Sequence, residues 1–163
     1  MMPMFEIILP GVQHLQNIHP LVVHFPIAFL AGAALFYFLS WVLRNETFAT
    51  TAFLLLILGT LAAGAAAATG LYGGEGVMVS RSVRKNLLER HEALMLATLG
   101  VSFGLAIWAV MAKPFPKKKR LLFLFVLLVL LGIMTIGADY GARMVYDYNA
   151  GGDACSQPIE FTR

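Results

Sequence analysis

Short polar segments divide an otherwise apolar chain into four long hydrophobic runs. Each run is longer than the roughly 20 residues that an α-helix needs to cross the hydrocarbon core of a bilayer. Glycines, prolines and clustered charges separate the runs, as expected of connections between helices. The pattern therefore predicts an all-α fold, an integral-membrane four-helix bundle. The predicted spans cover approximately residues 20–43, 48–72, 87–111 and 121–146.

The pattern outside the four runs predicts the domain organisation. Residues 1–148 are expected to form one transmembrane domain. It includes a short N-terminal segment, Phe5 to Ile18, which is apolar but broken at Pro10-Gly11 and is expected to lie at the bilayer interface. Residues 149–163 are predicted to be an irregular polar tail outside the membrane.

Composition supports the membrane assignment. Hydrophobic residues make up 59% of the 163 positions and charged residues 13%, against about 25% charged residues in an ordinary soluble domain. The net charge of +3 comes from loop clusters. It therefore carries information about topology and does not indicate a nucleic-acid partner.

The distribution of basic residues predicts the orientation. The loop from Lys113 to Arg120 has five basic residues in eight positions, whereas the segment from Met1 to Ile18 has none. The positive-inside rule then places both termini outside. Under this topology the basic residues between the second and third spans, Arg81, Arg84, Lys85 and Arg90, also lie outside. They either depart from the rule or have a local function.

Two histidines at the ends of apolar runs are the first candidates for chemistry. His24 to Trp41 and His91 to Trp108 are each separated by 17 positions, or about 25 Å of helix, close to the hydrocarbon thickness. This match predicts two duplicated helical hairpins, with His24 and His91 equivalent and facing each other at the outer boundary.

Two facing imidazoles suit a b-type haem, which takes one histidine nitrogen on each side of its iron. The haem carboxylates would pair with cations at the surface, and the candidates are Arg81, Arg84, Lys85 and Arg143. His19 lies five residues before His24, about 140° around the helix. It is therefore expected to contact the ligand pair without binding the metal, or to lie at the surface.

Other interpretations of the same residues stay open. Histidines at a membrane boundary are often interfacial residues or hydrogen-bond partners that hold helices together. Asp139 and Arg143 have the i, i+4 spacing of an intrahelical ion pair. The tryptophans are typical of an aromatic belt. The chain has no Cys-x-x-Cys-His motif for covalent haem attachment.

The decamer from His19 to Ala28, His-Pro-Leu-Val-Val-His-Phe-Pro-Ile-Ala, resembles a bacterial membrane family known as domain of unknown function 2231. The likeness extends through His91-Glu92 and, more weakly, to the segment from Gly141 to Tyr146. The resemblance implies a multi-pass four-helix domain of the bacterial inner membrane, with both termini periplasmic on the orientation above. It also implies a redox function at the outer membrane face, because relatives are sometimes joined to, or encoded near, cytochrome c-type or Rieske-type modules.

We therefore expect a small cytochrome-like electron-transfer subunit. It would hold one haem b near the outer face, between the first and third spans, without catalytic activity of its own. Expected partners are the lipid bilayer, other subunits of a membrane redox complex or a periplasmic cytochrome or Rieske protein, and quinone. The alternative is a non-catalytic structural or assembly subunit of such a complex. A transporter is disfavoured, because the first three spans have no charged residue near mid-membrane.

Overall fold

The computed structural model describes residues 18–74, 80–148 and 150. These residues form four long helices, each long and apolar enough to cross a membrane, and no strand. The predicted all-helical, four-span fold is thus confirmed. The predicted interfacial segment up to residue 17, and the predicted tail apart from Ala150, lie outside the described residues. The helices are α1, His19–Leu43; α2, Glu46–Gly74; α3, Arg81–Ala112; and α4, Arg120–Tyr148.

Helix α1 begins with a single turn, His19–Val22, followed by a regular helix, His24–Leu43. Pro20 lies in the first turn and Pro26 at the start of the regular helix. In both places the missing backbone N–H costs little. The helix ends where Arg44 adopts a left-handed conformation, with φ 51°, a common way to terminate a helix.

Helix α3 has an irregular entry. The Ser80 hydroxyl accepts a hydrogen bond from the Val83 N–H and so caps the first turn, Arg81–Val83. A π-helical turn, Arg84–Leu88, follows, and the α-helix Glu89–Ala112 continues from it. A π-turn includes one more residue than an α-turn, so it changes which residues of α3 face the bundle.

The helices pack in chain order around the bundle. Helix α1 packs most extensively on α2, α3 on α4, and α2 also on α3, whereas α1 and α4 meet over a smaller area. This order places α1 and α3 on one diagonal. Helices α1 and α2 approach closely at Gly59, where an added Cβ would lie 3.2 Å from the backbone nitrogen of Leu30.

One end of the bundle is closed by aromatic side chains around Tyr37, which is fully buried. Its hydroxyl donates a hydrogen bond to the Pro114 carbonyl, at 3.0 Å. The ring of Phe123 lies 4.9 Å from that of Tyr37 and 5.3 Å from that of Trp108. Trp108 is therefore half-buried in the core, while Trp41 is exposed at the lipid-facing surface as a belt residue would be.

Buried positions repeat between the two halves of the chain. Five buried positions of α1 each recur 72 positions later as a buried position of α3. Five buried positions of α2 recur 71 positions later in α4. The two hairpins are therefore alike in which face they bury. The pairs are Pro26/Thr98, Leu30/Ser102, Ala33/Leu105, Ala34/Ala106 and Tyr37/Ala109, then Ala52/Phe123, Leu56/Leu127, Gly59/Leu130, Ala63/Met134 and Ala66/Gly137.

This register differs from the predicted one. Trp41 and Trp108 suggested an offset of 67 positions, which made His24 equivalent to His91. The buried faces instead make His19 equivalent to His91, and His24 equivalent to Leu96. Both His24 and Leu96 are exposed.

Candidate functional site

The rings of His19 and His91 meet at the end of the bundle opposite the aromatic cluster. Their centres are 6.3 Å apart and their planes are nearly perpendicular, at 82°. Both side chains are half-buried. Because α1 and α3 lie on a diagonal, this contact spans the interior of the bundle.

His91 is fixed by helix α4. Its Nδ1 donates a hydrogen bond to the carbonyl oxygen of Gly137, at 2.8 Å. The ring lies against Gly141, one turn further along, where an added Cβ would be 3.0 Å from Cε1 of the ring. A Cβ at Gly137 would overlap the side chain of Met95. Gly141 therefore makes room for the imidazole, while Gly137 lets α3 and α4 approach closely at Met95.

His19 is fixed in the same way by helix α2. Its Nδ1 lies 3.2 Å from the hydroxyl oxygen of Thr69. The ring lies against Gly70, where an added Cβ would be 2.8 Å from Cε1. The two sites therefore correspond: in each hairpin, the first helix provides a histidine and the second provides a glycine and an oxygen that accepts from Nδ1.

The hydrogen bonds define which nitrogen of each neutral ring carries the proton. A carbonyl oxygen can only accept, so Nδ1 of His91 is protonated and its lone pair is on Nε2. The Thr69 hydroxyl uses its single hydrogen for the carbonyl oxygens of Ala65 and Ala66, so Thr69 Oγ1 accepts from Nδ1 of His19. Nε2 is the usual metal-binding atom of a histidine whose Nδ1 is anchored in this way.

The histidine that pairs with His91 is therefore His19, and not His24 as the sequence suggested. The inward stripe of α1 contains His19, Pro26, Leu30, Ala33 and Tyr37. His24 is about 140° away from His19 on the helix and its side chain is exposed. Helix α3 has its inward stripe at the same spacing: His91, Thr98, Ser102, Leu105 and Ala109.

The predicted cationic residues are distributed around this end of the bundle. Arg81, Lys85 and Arg143 are exposed and Arg84 is half-buried. Arg143 forms its ion pair with Asp147, one turn after it, at 3.6 Å, and not with Asp139, one turn before it, as the sequence suggested. This pair is exposed and stabilises the helix by little.

Another cation, Arg90, has a defined contact next to the site. Arg90 Nη1 donates to the Tyr140 hydroxyl, at 3.3 Å, and the guanidinium carbon lies 6.0 Å from the centre of the tyrosine ring. Arg90 precedes His91 and Tyr140 precedes Gly141 in the sequence. Neither these two residues nor Thr69, Gly70 and Gly137 were predicted from the sequence to belong to the site. The spacing from His19 to Gly70 and from His91 to Gly141, 51 and 50 positions, is a signal that could have found the glycines.

The donor set limits the metals that this site suits. Within residues 18–74 and 80–148, no group of three or more His, Cys, Asp or Glu side chains could hold a metal ion. A pair of imidazoles from facing helices instead suits a metal whose remaining ligands come from a macrocycle, such as the iron of a haem. The described residues at this end of the bundle therefore offer a pair of imidazoles and no complete set of metal ligands.

The fold and the site define a small multi-pass membrane protein whose four helices converge on a pair of histidines. The chain belongs to the DUF2231 family, described as predicted membrane proteins, which it matches over residues 15–154. The resemblance seen in the sequence is thereby confirmed. No curated protein and no solved structure matches the chain.

Proposed function

We propose that the chain is a membrane electron-transfer subunit that binds one b-type haem, with His19 and His91 as the axial ligands. The observation that carries the proposal is the anchored, facing pair of imidazoles. Each ring is held through Nδ1 by the second helix of its own hairpin, and the ring centres are 6.3 Å apart.

This distance suits coordination to one metal. A metal–imidazole bond is about 2.0 Å long, and the ring centre lies about 1.1 Å beyond the nitrogen. Two imidazoles on opposite sides of one metal therefore have centres about 6 Å apart. Perpendicular ring planes are compatible with this arrangement, because each ring can rotate about its own metal–nitrogen bond.

The protein's contribution is to hold the two ligands and to surround the group with helices. The bound haem would supply one-electron chemistry between its ferric and ferrous states. Anchoring Nδ1 of His91 on Gly137 and Nδ1 of His19 on Thr69 fixes the ring orientation and raises the basicity of each Nε2. The candidate cations for the haem carboxylates remain Arg81, Arg84, Lys85 and Arg143, and Arg90 joins them on its position beside His91.

A site at one end of the bundle requires a partner for electron transfer across the bilayer. Since His19 is the first residue of α1, the haem would lie near one membrane face. We propose the periplasmic face of the bacterial inner membrane, with both termini on that side, because the basic loop from Lys113 to Arg120 lies at the other end. A periplasmic cytochrome or Rieske protein, or quinone, would exchange the electron.

Absorbance spectroscopy of the purified full chain tests the proposal. We expect a b-type reduced-minus-oxidised difference spectrum for the wild type. His19→Ala and His91→Ala should each lose it, whereas His24→Ala, the matched control on α1, should keep it. A wild-type protein reconstituted with haem that shows no b-type spectrum would overturn the function. Loss of the spectrum in His24→Ala alone would restore His24 as the ligand.

The second candidate is a non-catalytic assembly subunit of a membrane redox complex. It is favoured by Gly100 and Gly104 of α3, which face outward and whose added Cβ atoms would meet nothing within 4 Å. Such small-residue faces let another helix approach closely. If this is the function, the double variant His19→Ala/His91→Ala should still assemble with its partners, measured by co-purification from the native membrane.

A further inference from the structure

A lipid-facing groove lies between α1 and α4, in the half of the bundle remote from the histidine pair. It has a volume of about 280 Å³. Its lining is apolar: α1 provides two alanines, one leucine and one phenylalanine, and α4 provides four leucines. The groove is present because α1 and α4 pack less extensively than the other neighbouring helices. Its lining residues are Ala31, Ala34, Leu35, Phe38, Leu124, Leu127, Leu128 and Leu131.

The groove runs along the helix axes, which is the direction of a lipid acyl chain in a bilayer, and is long enough to hold part of such a chain. Its walls run over eight residues of α1, from Ala31 to Phe38, and over the facing turns of α4, from Leu124 to Leu131. At 1.5 Å per residue this is about 10 Å along the helix axes. Leu35 and Leu128 are more than half exposed, at 54% and 65%, so the groove is open to the bilayer along its length.

The mouth of the groove is strongly basic. Leu124 is one helical turn from Arg120, and Phe38 is less than two turns from Arg44. The segments that end the helices here, 44–46 and 113–120, contain six basic residues and one acidic residue, Glu46. Glu46 is already paired with Arg120, at 3.3 Å. Arg44, Lys117, Lys118 and Lys119 are exposed.

We propose that this groove is a binding site for an anionic phospholipid. One acyl chain lies along the alanines of α1, and the phosphate lies among Arg44 and Lys117–Lys119. Lysine and arginine at a membrane surface attract anionic headgroups, and the apolar lining accepts the chain without burying a polar group. The proposal rests on charge and shape at this end of the bundle and is independent of the proposed haem site.

Native mass spectrometry of the full chain, released from vesicles, tests the proposal. The probes are phosphatidylglycerol and phosphatidylcholine with the same acyl chains. We expect phosphatidylglycerol to be retained at least about fivefold better, from about 1 kcal/mol per basic residue. Lys117→Gln/Lys118→Gln/Lys119→Gln should lose this preference. Ala31→Trp, which fills the groove, should lose the retained lipid.

Matched controls separate the site from general membrane effects. Ala28→Trp places the same side chain on an exposed position of α1 that does not line the groove, and Arg81→Gln/Lys85→Gln removes charge at the other end. Both should retain phosphatidylglycerol as the wild type does. Equal retention of the two lipids, or undiminished phosphatidylglycerol in Ala31→Trp, would overturn the proposal. The proposal would also be overturned if the groove held a different occupant. Such an occupant would be an isoprenoid quinone that co-purifies with the wild type and is lost in Ala31→Trp, or a second copy of the chain in a dimer that Ala31→Trp dissociates.

Discussion

The imidazole of His91 lies directly against Gly141, so that a Cβ on this glycine would be 3.0 Å from Cε1 of the ring and 3.1 Å from Nδ1. Gly141→Ala should therefore displace the ring and strain its hydrogen bond to Gly137. If His91 is a haem ligand, we expect haem affinity to fall by at least about tenfold, as for other changes that disturb ligand orientation. Haem titration followed by absorbance measures it.

Gly132 provides the matched control on the same helix, because its added Cβ would meet nothing within 4 Å. Gly132→Ala should leave haem affinity unchanged and raise helix stability by up to about 1 kcal/mol. Equal losses in Gly132→Ala and Gly141→Ala would show that the effect comes from the helix in general and not from the contact with His91.

Gly70→Ala is expected to act on His19 as Gly141→Ala acts on His91. The added Cβ would be 2.8 Å from Cε1 of His19, so the ring must move away from Thr69. The same tenfold or greater loss of haem affinity is expected. Gly64→Ala is the control on α2, since its Cβ would enter open space. A ligand pair built on His24 would instead be indifferent to Gly70→Ala.

Gly59→Ala should separate α1 from α2. Its Cβ would lie 2.8 Å from Leu30 Cδ2 and 3.2 Å from the Leu30 backbone nitrogen, and the backbone cannot move without shifting the helix. Overpacking of this kind costs about 1–3 kcal/mol. We expect thermal unfolding in detergent to occur at lower temperature than for Gly64→Ala, whose small gain in helix propensity makes it the appropriate reference.

Tyr37→Phe should destabilise the aromatic end of the bundle. The change keeps the ring but removes the hydrogen bond to Pro114 in a place where Tyr37 has no exposed surface. The carbonyl of Pro114 loses this partner, and a loss of about 1 kcal/mol in the free energy of unfolding is expected. Tyr72→Phe, at a residue that is 88% exposed, should change the unfolding temperature little by comparison.

Glu46→Gln is expected to have a small effect. The carboxylate is 67% exposed and pairs with Arg120 at 3.3 Å, and exposed ion pairs contribute about 1 kcal/mol or less. The difference in unfolding temperature between Glu46→Gln and the wild type should become smaller as salt is added, because salt screens the wild-type ion pair. A loss larger than that of Tyr37→Phe would contradict this assignment and place Glu46 among the structural residues.

The sequence predicted the four spans well, because length and apolar content determine whether a helix can cross a bilayer. The turn at Arg44–Glu46 and the loop from Lys113 to Arg120 were located to within a few residues. What it did not predict was which face of α1 and α3 is inward. Nearly every position in these helices is apolar, so hydrophobicity alone does not distinguish core from lipid.

The tryptophans explain why the sequence paired His24, and not His19, with His91. A tryptophan at a membrane interface indicates how deep that residue lies in the bilayer, and does not indicate which face of the helix points inward. Trp41 faces lipid whereas Trp108 packs on Phe123, so aligning the two equated different faces. Small and hydroxyl-bearing residues are better indicators of the inward face. Thr98 and Ser102 of α3 are buried at the positions equivalent to Pro26 and Leu30 of α1.

The convergence of one group from every helix at the histidine pair has a consequence for biogenesis. The first hairpin can bring His19 to Gly70 before the rest of the chain is synthesised, but His91 acquires its acceptor, Gly137, only after the last helix has been inserted. On the proposed function, haem loading is then a late event that follows insertion of the last helix. Premature termination within α4 should leave a chain that is integrated in the membrane yet incapable of maturation.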